Sequence, residues 1–180
     1  MLDILIKTLW LILPAGFANS APVLIRPYWK SLAFPLDGNK TLNKKPILGK
    51  NKTFRGLISA ILMGIFIAFI QSLLYNFETF RSISIINYQA NWLPLGFLLG
   101  FGMILGDAVG SFIKRRVNIK SGKPFPILDQ LDGFAGALLL VLPFYSLPYD
   151  IILTALVLAL VLHFSIRLIS YALKITEEPW

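Results

Sequence analysis

Five long apolar runs organise this chain. They cover approximately Leu2–Ile25, Phe54–Tyr75, Trp92–Ile113, Leu128–Leu147 and Ile151–Leu173. Each is near the ~20 residues that cross roughly 30 Å of hydrocarbon as a helix. The pattern predicts an all-α polytopic membrane protein with five transmembrane helices, folded as a single domain over 1–180. The fourth run is the shortest and opens on Asp129 and Asp132, which makes its start the least sharply marked. Pro35, Gly38, Pro46 and Gly49 predict an ordered, turning loop between the first two runs.

Composition agrees. Hydrophobic residues make up 56% of the chain and charged ones 14%, against roughly 25% charged in soluble domains. A core of this size cannot hide so much apolar surface. Disorder, a coiled coil and an ordinary cytosolic enzyme are excluded. With no cysteine, disulfides, thiolate catalysis and thiolate metal sites are excluded too.

The net charge of +8 is unevenly placed. Arg26, Lys30, Lys40, Lys44, Lys45, Lys50, Lys52 and Arg55 lie between runs one and two. Lys114, Arg115, Arg116, Lys120 and Lys123 lie between runs three and four, and Lys174 follows run five. The other side carries only Lys7 and Arg81. The positive-inside rule then puts the N-terminus outside and both basic loops and the C-terminus in the cytoplasm. Asp3 precedes Lys7, so the first run lacks the basic start of a cleaved signal and is expected to be a retained helix.

Against this apolar background the acidic residues stand out. Asp107 follows Gly106 inside run three, and Asp129 and Asp132 open run four at a spacing that aims both from one helix face. A carboxylate at the centre of a membrane helix costs about 2.5–3.5 kcal/mol on insertion scales. Asp129 alone would be explained by the positive end of a helix dipole. Three carboxylates near one membrane face point instead to a polyvalent cation site. Oxygen ligands without imidazole or thiolate suit Mg²⁺. Ser111, Lys114 and Arg115 continue the stripe begun by Asp107, supplying a hydroxyl and then cations. Carboxylates beside cations at a cytoplasmic border suggest phosphoryl or nucleotidyl transfer to a lipid.

Lys50, Lys52, Thr53 and Arg55, in Gly49-Lys50-Asn51-Lys52-Thr53-Phe54-Arg55-Gly56, form a second candidate element. It is either a basic flank at the membrane surface or a phosphate-gripping loop leading into a helix. The glycine spacing is not that of a Walker A loop. Gly96, Gly100, Gly102, Gly106 and Gly110 are spaced for close helix packing, as are Gly133 and Gly136. Asn19 and Ser20 are expected to hydrogen-bond between helices, His163 to be a packed polar residue, and Arg167 to reach toward the cytoplasm.

Gly106-Asp107-Ala108-Val109-Gly110-Ser111-Phe112-Ile113-Lys114-Arg115-Arg116, followed by Pro124-Phe125-Pro126-Ile127-Leu128-Asp129-Gln130-Leu131-Asp132, resembles the signature of membrane CTP-dependent cytidylyltransferases. The Pro-Phe-Pro lead, Leu-Asp-Gln-Leu-Asp and the small size look closer to the archaeal CDP-archaeol synthases within that group. Ala18–Leu24, Pro35-Leu36-Asp37 and Gly49–Gly56 are similar to the same family. Gly133 stands where the bacterial-type enzymes usually carry a serine. The resemblance implies transfer of a cytidylyl group from CTP to 2,3-bis-O-(geranylgeranyl)-sn-glycerol 1-phosphate, with release of pyrophosphate. It implies Mg²⁺ held by Asp107, Asp129 and Asp132 as the catalytic carboxylates. Phosphates would be held by Lys50, Lys52, Thr53, Arg55, Ser111, Lys114 and Arg115. The implied partners are CTP and a prenylated glycerol phosphate lipid, not nucleic acid, at a cytoplasm-facing site in the cell membrane. The alternatives are the same chemistry on ester-linked phosphatidate, a cation- or proton-coupled transporter using the same aspartates, and a non-catalytic assembly subunit.

Overall fold

The computed structural model describes residues 1–172, with backbone alone at 166, 167 and 169–172. Lys174 and the end of the fifth run at Leu173 lie outside the described residues, as does the side chain of Arg167. The chain is mostly helical: α1 (Leu2–Leu24), α2 (Phe54–Leu74), a short α3 (Glu78–Ser82), α4 (Tyr88–Arg116), α5 (Leu128–Val141) and α6 (Tyr149–Ala172). A single 3₁₀ turn at Lys30–Leu32 and a small antiparallel ladder, β1 (Thr41–Leu42) with β2 (Lys45–Pro46), lie between α1 and α2.

Among the described residues, α1, α2 and α4 are long and apolar enough to cross a membrane. The fourth run departs from expectation. Its helix holds 14 residues, about 21 Å of rise, and stops at Val141 rather than continuing to Leu147. Pro143 supplies the reason, since it has no N–H to extend the ladder and disfavours helix at the residue before it. Run three is longer than predicted. Asn87 caps it by accepting from the Ala90 N–H at 3.2 Å, so α4 begins at Tyr88 and runs unbroken to Arg116.

Helix α4 is central, packing against α2 on one side and α5 on the other, with α1 also against it. Helix α6 packs on α1 and α5. Leu11, Ala18, Leu95, Leu99, Met103, Ala137 and Val141 form the core between them. Small residues make the close approaches. A Cβ at Gly100 would sit 2.7 Å from the Ala60 carbonyl oxygen of α2, and one at Gly102 would sit 2.7 Å from the Ala137 Cα of α5. Backbones this near exchange dispersion over their whole length, the contact that membrane helices rely on.

The loop between α1 and α2 is built rather than trailing. Asn43 and Lys44 both take positive φ, 50° and 61°, giving the two-residue primed turn that suits a tight hairpin. Arg116 at the end of α4 donates to the carbonyls of Leu42 at 2.8 Å and Pro46 at 2.5 Å. Lys45 Nζ donates back to the Arg116 carbonyl at 3.1 Å. The hairpin is thereby fastened to the end of α4.

Candidate active site

The last turns of α4 place Asp107, Ser111, Lys114 and Arg115 along one side, because residues three and four apart share a helix face. Lys114 and Arg115 are only 8% and 6% exposed, and buried cations need partners. Lys114 Nζ donates to both carboxylate oxygens of Asp129, at 2.8 and 2.9 Å. Arg115 Nε donates to the Leu48 carbonyl at 3.3 Å, and its Nη1 donates to the carbonyl of Ile119. The carbonyl end of α4 also favours positive charge there.

Asp129 sits in the first turn of α5, where Oδ2 also accepts from the Phe125 N–H at 2.8 Å. The residue that turns the chain into this helix, Ile127, has φ 70°, uncommon for a β-branched side chain. Asp132 is one turn deeper. Its Oδ1 accepts from the Gly133 N–H at 2.7 Å, and its carboxylate lies in the space left by Gly110, where a Cβ would stand 2.8 Å from the carboxyl carbon. Asp107 forms an ion pair with Lys52 of the loop before α2. Thr53 caps α2, its hydroxyl accepting from the Gly56 N–H at 3.2 Å.

These elements enclose a cavity of about 410 Å³ between the end of α4, the start of α5, the loop before α2 and α6. Lys52, Asp107, Ser111, Lys114, Arg115 and Asp129 line it. Thr53 lines an adjoining cavity of about 180 Å³, which shares Asn51, Lys52 and Asp107 with the first. Lys50 is exposed and Arg55 donates to the Arg26 carbonyl at 3.0 Å; neither is among the residues lining these spaces. Asp132 is half-buried with its carboxylate against Gly110, and it is not among the residues lining the cavity. Among the described residues, no three carboxylate or imidazole groups are gathered into a cage for an ion. Two of the predicted carboxylates are instead matched with lysines.

The sequence pattern does not single out Asn51, Ser121 or Gln130, and it places His163 in the packed interior; all four line the larger cavity. No local periodicity marks them, since α6 and the loop after α4 reach the site only through tertiary packing. Asn19 also differs from expectation. It makes no interhelical hydrogen bond among the described residues and lines the smaller cavity.

The family model described as CarS-like, CDP-archaeol synthase matches residues 1–180. The chain belongs to the CDP-archaeol synthase family. It is 36% identical over 178 residues to the CDP-archaeol synthase of Methanocaldococcus jannaschii, covering 98% of each chain. It is 37% identical over 187 positions to that of Archaeoglobus fulgidus, covering all of both. A solved chain of an intramembrane enzyme for archaeal membrane lipids biosynthesis superposes with a TM-score of 0.73, at 28% identity, covering 89% of this chain and 92% of that one. As a member of the CDP-archaeol synthase family, the protein is an enzyme, a CTP-dependent cytidylyltransferase of membrane lipid biosynthesis. Membership decides against a transporter built on the same aspartates and against a non-catalytic assembly subunit.

Proposed function

We propose that the protein transfers the cytidylyl group of CTP to 2,3-bis-O-(geranylgeranyl)-sn-glycerol 1-phosphate, giving a CDP-activated diether lipid and pyrophosphate. The observation that carries this proposal is the mixed charge around one space of about 410 Å³: Lys52, Lys114, Arg115 and Lys123 together with Asp107 and Asp129. Carboxylates alone would suit a bare cation, and lysines alone would suit any anion. The mixture suits a polyphosphate accompanied by a divalent cation.

In the reaction, an oxygen of the lipid phosphate attacks the α-phosphorus of CTP. A P–O bond forms there as the bond to the α–β bridging oxygen breaks, and pyrophosphate leaves with the electron pair. A phosphate monoester is already anionic near neutral pH, so no histidine base is required. The obstacle is repulsion between two anions. Lys52, Lys114 and Arg115 hold the triphosphate and the emerging pyrophosphate, with the Ser111 hydroxyl beside them. Lys50, Thr53 and Arg55 extend the same basic element at the entrance to α2. Because Lys52 and Lys114 rest on Asp107 and Asp129, each ammonium is held ready to pass from a carboxylate to an entering phosphate.

Asp107, Asp129 and Asp132 present only oxygen donors, the set that Mg²⁺ accepts, and the missing Cβ of Gly110 makes room for the Asp132 carboxylate itself. These three residues would hold Mg²⁺, whose contribution is to neutralise phosphate charge. The protein is a multi-pass cell-membrane enzyme of one domain over 1–180 with five membrane-crossing helices, the N-terminus outside and both basic loops in the cytoplasm. The uneven distribution of basic residues supports this orientation, and it opens the cavity to the compartment that holds CTP. The prenyl chains lie against the helices in the inner leaflet.

The test is pyrophosphate release by purified protein in detergent or nanodiscs. Release that requires CTP, Mg²⁺ and the geranylgeranyl lipid phosphate together is expected, and competition with phosphatidate ranks the two lipids. Folded protein that is silent with every lipid phosphate refutes the proposal.

A further inference from the structure

Asp37 is the only carboxylate between Arg26 and Thr53, in a stretch that also holds Lys30, Lys40, Lys44, Lys45, Lys50 and Lys52. Among the described residues it forms an ion pair with none of those lysines. It is spent on backbone instead. Oδ2 accepts from the N–H groups of Leu48 and Gly49 at 2.8 and 3.1 Å, and Oδ1 accepts from the Asn39 N–H at 3.0 Å. Burial raises the pKa of this carboxyl, but those N–H groups together outweigh it and hold it below its ordinary value. The group is therefore an anion at neutral pH, held by backbone donors rather than by a lysine.

The segment held this way leads directly to the site. Leu48, whose N–H is on Asp37, has its carbonyl on Arg115 Nε at 3.3 Å, so this one residue links Asp37 to α4. Gly49 follows with φ 101°, a conformation that favours glycine. The Gly49 carbonyl accepts from the Lys52 N–H at 3.2 Å, and the Lys52 carbonyl accepts from the Leu36 N–H at 2.7 Å. Pro35 bridges Thr53, and the Phe54 N–H donates to the Phe34 carbonyl at 3.1 Å. The backbone of Lys52 is thus fixed at both of its polar groups, on a template formed by residues 34–37. Its side chain reaches Asp107 in the cavity.

We propose that Asp37 is a positioning residue for CTP: by holding the peptide units of Leu48 and Gly49 it sets the turn that delivers the Lys52 ammonium to the cavity, without touching nucleotide or lipid itself. The inference rests on the phosphate-binding role proposed above for Lys52. It assigns Asp37 to ground-state capture of the triphosphate, so its loss acts first on the KM for CTP.

The experiment is a double-mutant cycle on the full chain in the pyrophosphate-release assay. Asp37→Ala should raise the KM for CTP about tenfold, of the order expected for losing two charge-assisted hydrogen bonds. The same variant should leave the KM for the lipid phosphate within about twofold and the melting temperature within a few degrees. In the Lys52→Ala background, Asp37→Ala should add less than about twofold, because the side chain it positions is gone. Asp37→Asn, which keeps an acceptor for Leu48 and Gly49 but turns an amide N–H toward the Asn39 N–H, should fall between wild type and alanine. It also serves as the measured variant if the alanine protein does not fold. An unchanged KM for CTP, or Asp37 and Lys52 effects that simply multiply, overturns the inference while leaving the proposed reaction intact. A wild-type protein without turnover overturns both.

Discussion

Gly110→Ala isolates the proposed catalytic geometry from the packing of the bundle. The added methyl projects into the Asp132 side chain, 2.8 Å from its carboxyl carbon and 3.0 Å from its Cβ. Carbon atoms are comfortable near ~3.5–4.0 Å, so the carboxylate must swing aside or α4 and α5 must separate. Overpacking of one methyl typically costs about 1–3 kcal/mol. Here the obstructing group is a side chain that can rotate, so the stability loss should lie at the lower end. Activity should respond far more strongly. A displacement of ~1 Å in a positioning group can cost on the order of 100-fold in rate, and Asp132 has nowhere to move without leaving Gly110.

The control is Gly100→Ala, where the new methyl meets the Ala60 carbonyl oxygen at 2.7 Å and the Ile61 Cα at 3.1 Å. Backbone cannot rotate away, so this variant should lose more stability through separation of α2 from α4. Pyrophosphate release and thermal unfolding in the same detergent are compared for the two. Gly110→Ala should be the less destabilised and the less active protein. On an Asp132→Asn background it should reduce activity little further. Activity within about threefold of wild type, or an activity loss no greater than that of Gly100→Ala, refutes a catalytic placement of Asp132 against Gly110.

Lys114→Met leaves Asp129, whose side chain is 28% exposed, without its ion partner. It should lower stability by about 1–3 kcal/mol, read as a melting shift that added CTP no longer corrects as it does in wild type. Asp107→Asn should cut pyrophosphate release more than about 100-fold while leaving thermal unfolding near that of wild type; retained activity would remove Asp107 from the site. Thr53→Val removes the hydroxyl that accepts the Gly56 N–H and should cost about 1 kcal/mol of stability, the worth of an N-cap. Because the folded pKa of Asp37 is lowered, its contribution is present above the unfolded value of about 3.9 and is lost as pH falls through the folded one. Amide exchange at Leu48 and Gly49 should therefore stay protected near pH ~4 and open below it, whereas Asp37→Asn should show no such step.

Hydropathy is enough to locate the helical runs, because each must present apolar surface along its length, and the small-residue spacing in α4 marks the faces where helices touch. It overstates α5. Apolar composition continues through Phe144 to Leu147, but Pro143 removes the donor that a longer helix needs. The acidic positions are legible because carboxylates are rare in apolar runs, and so are Lys114 and Arg115 about two turns along the same face. Their partners are not. That Lys114 meets Asp129 and Lys52 meets Asp107 depends on how a loop and two helices are set side by side, and no period within either segment encodes that. Asn51 and Gln130 are common polar residues with nothing local to distinguish them from solvated ones.

The ion pairs explain how acidic groups can be kept at a membrane border without substrate. Left alone, Asp107 and Asp129 would face both the desolvation cost of the site and each other's charge. Lys52 and Lys114 offset both. The same arrangement makes binding an exchange rather than an insertion of new charge: phosphates take over the ammonium groups while the carboxylates are freed for a divalent cation. Either ligand alone would leave one set of charges unmatched, so the triphosphate and the cation should each strengthen the other's hold. The two lysines differ in what constrains them, and this decides which pair yields first. Lys114 issues from a continuous helix and meets an aspartate already accepting a backbone N–H. Lys52 issues from a turn held by Asp37 and Leu36. Exchange should begin at Lys52, where loop and carboxylate come from separate elements and, among the described residues, no third partner secures Asp107.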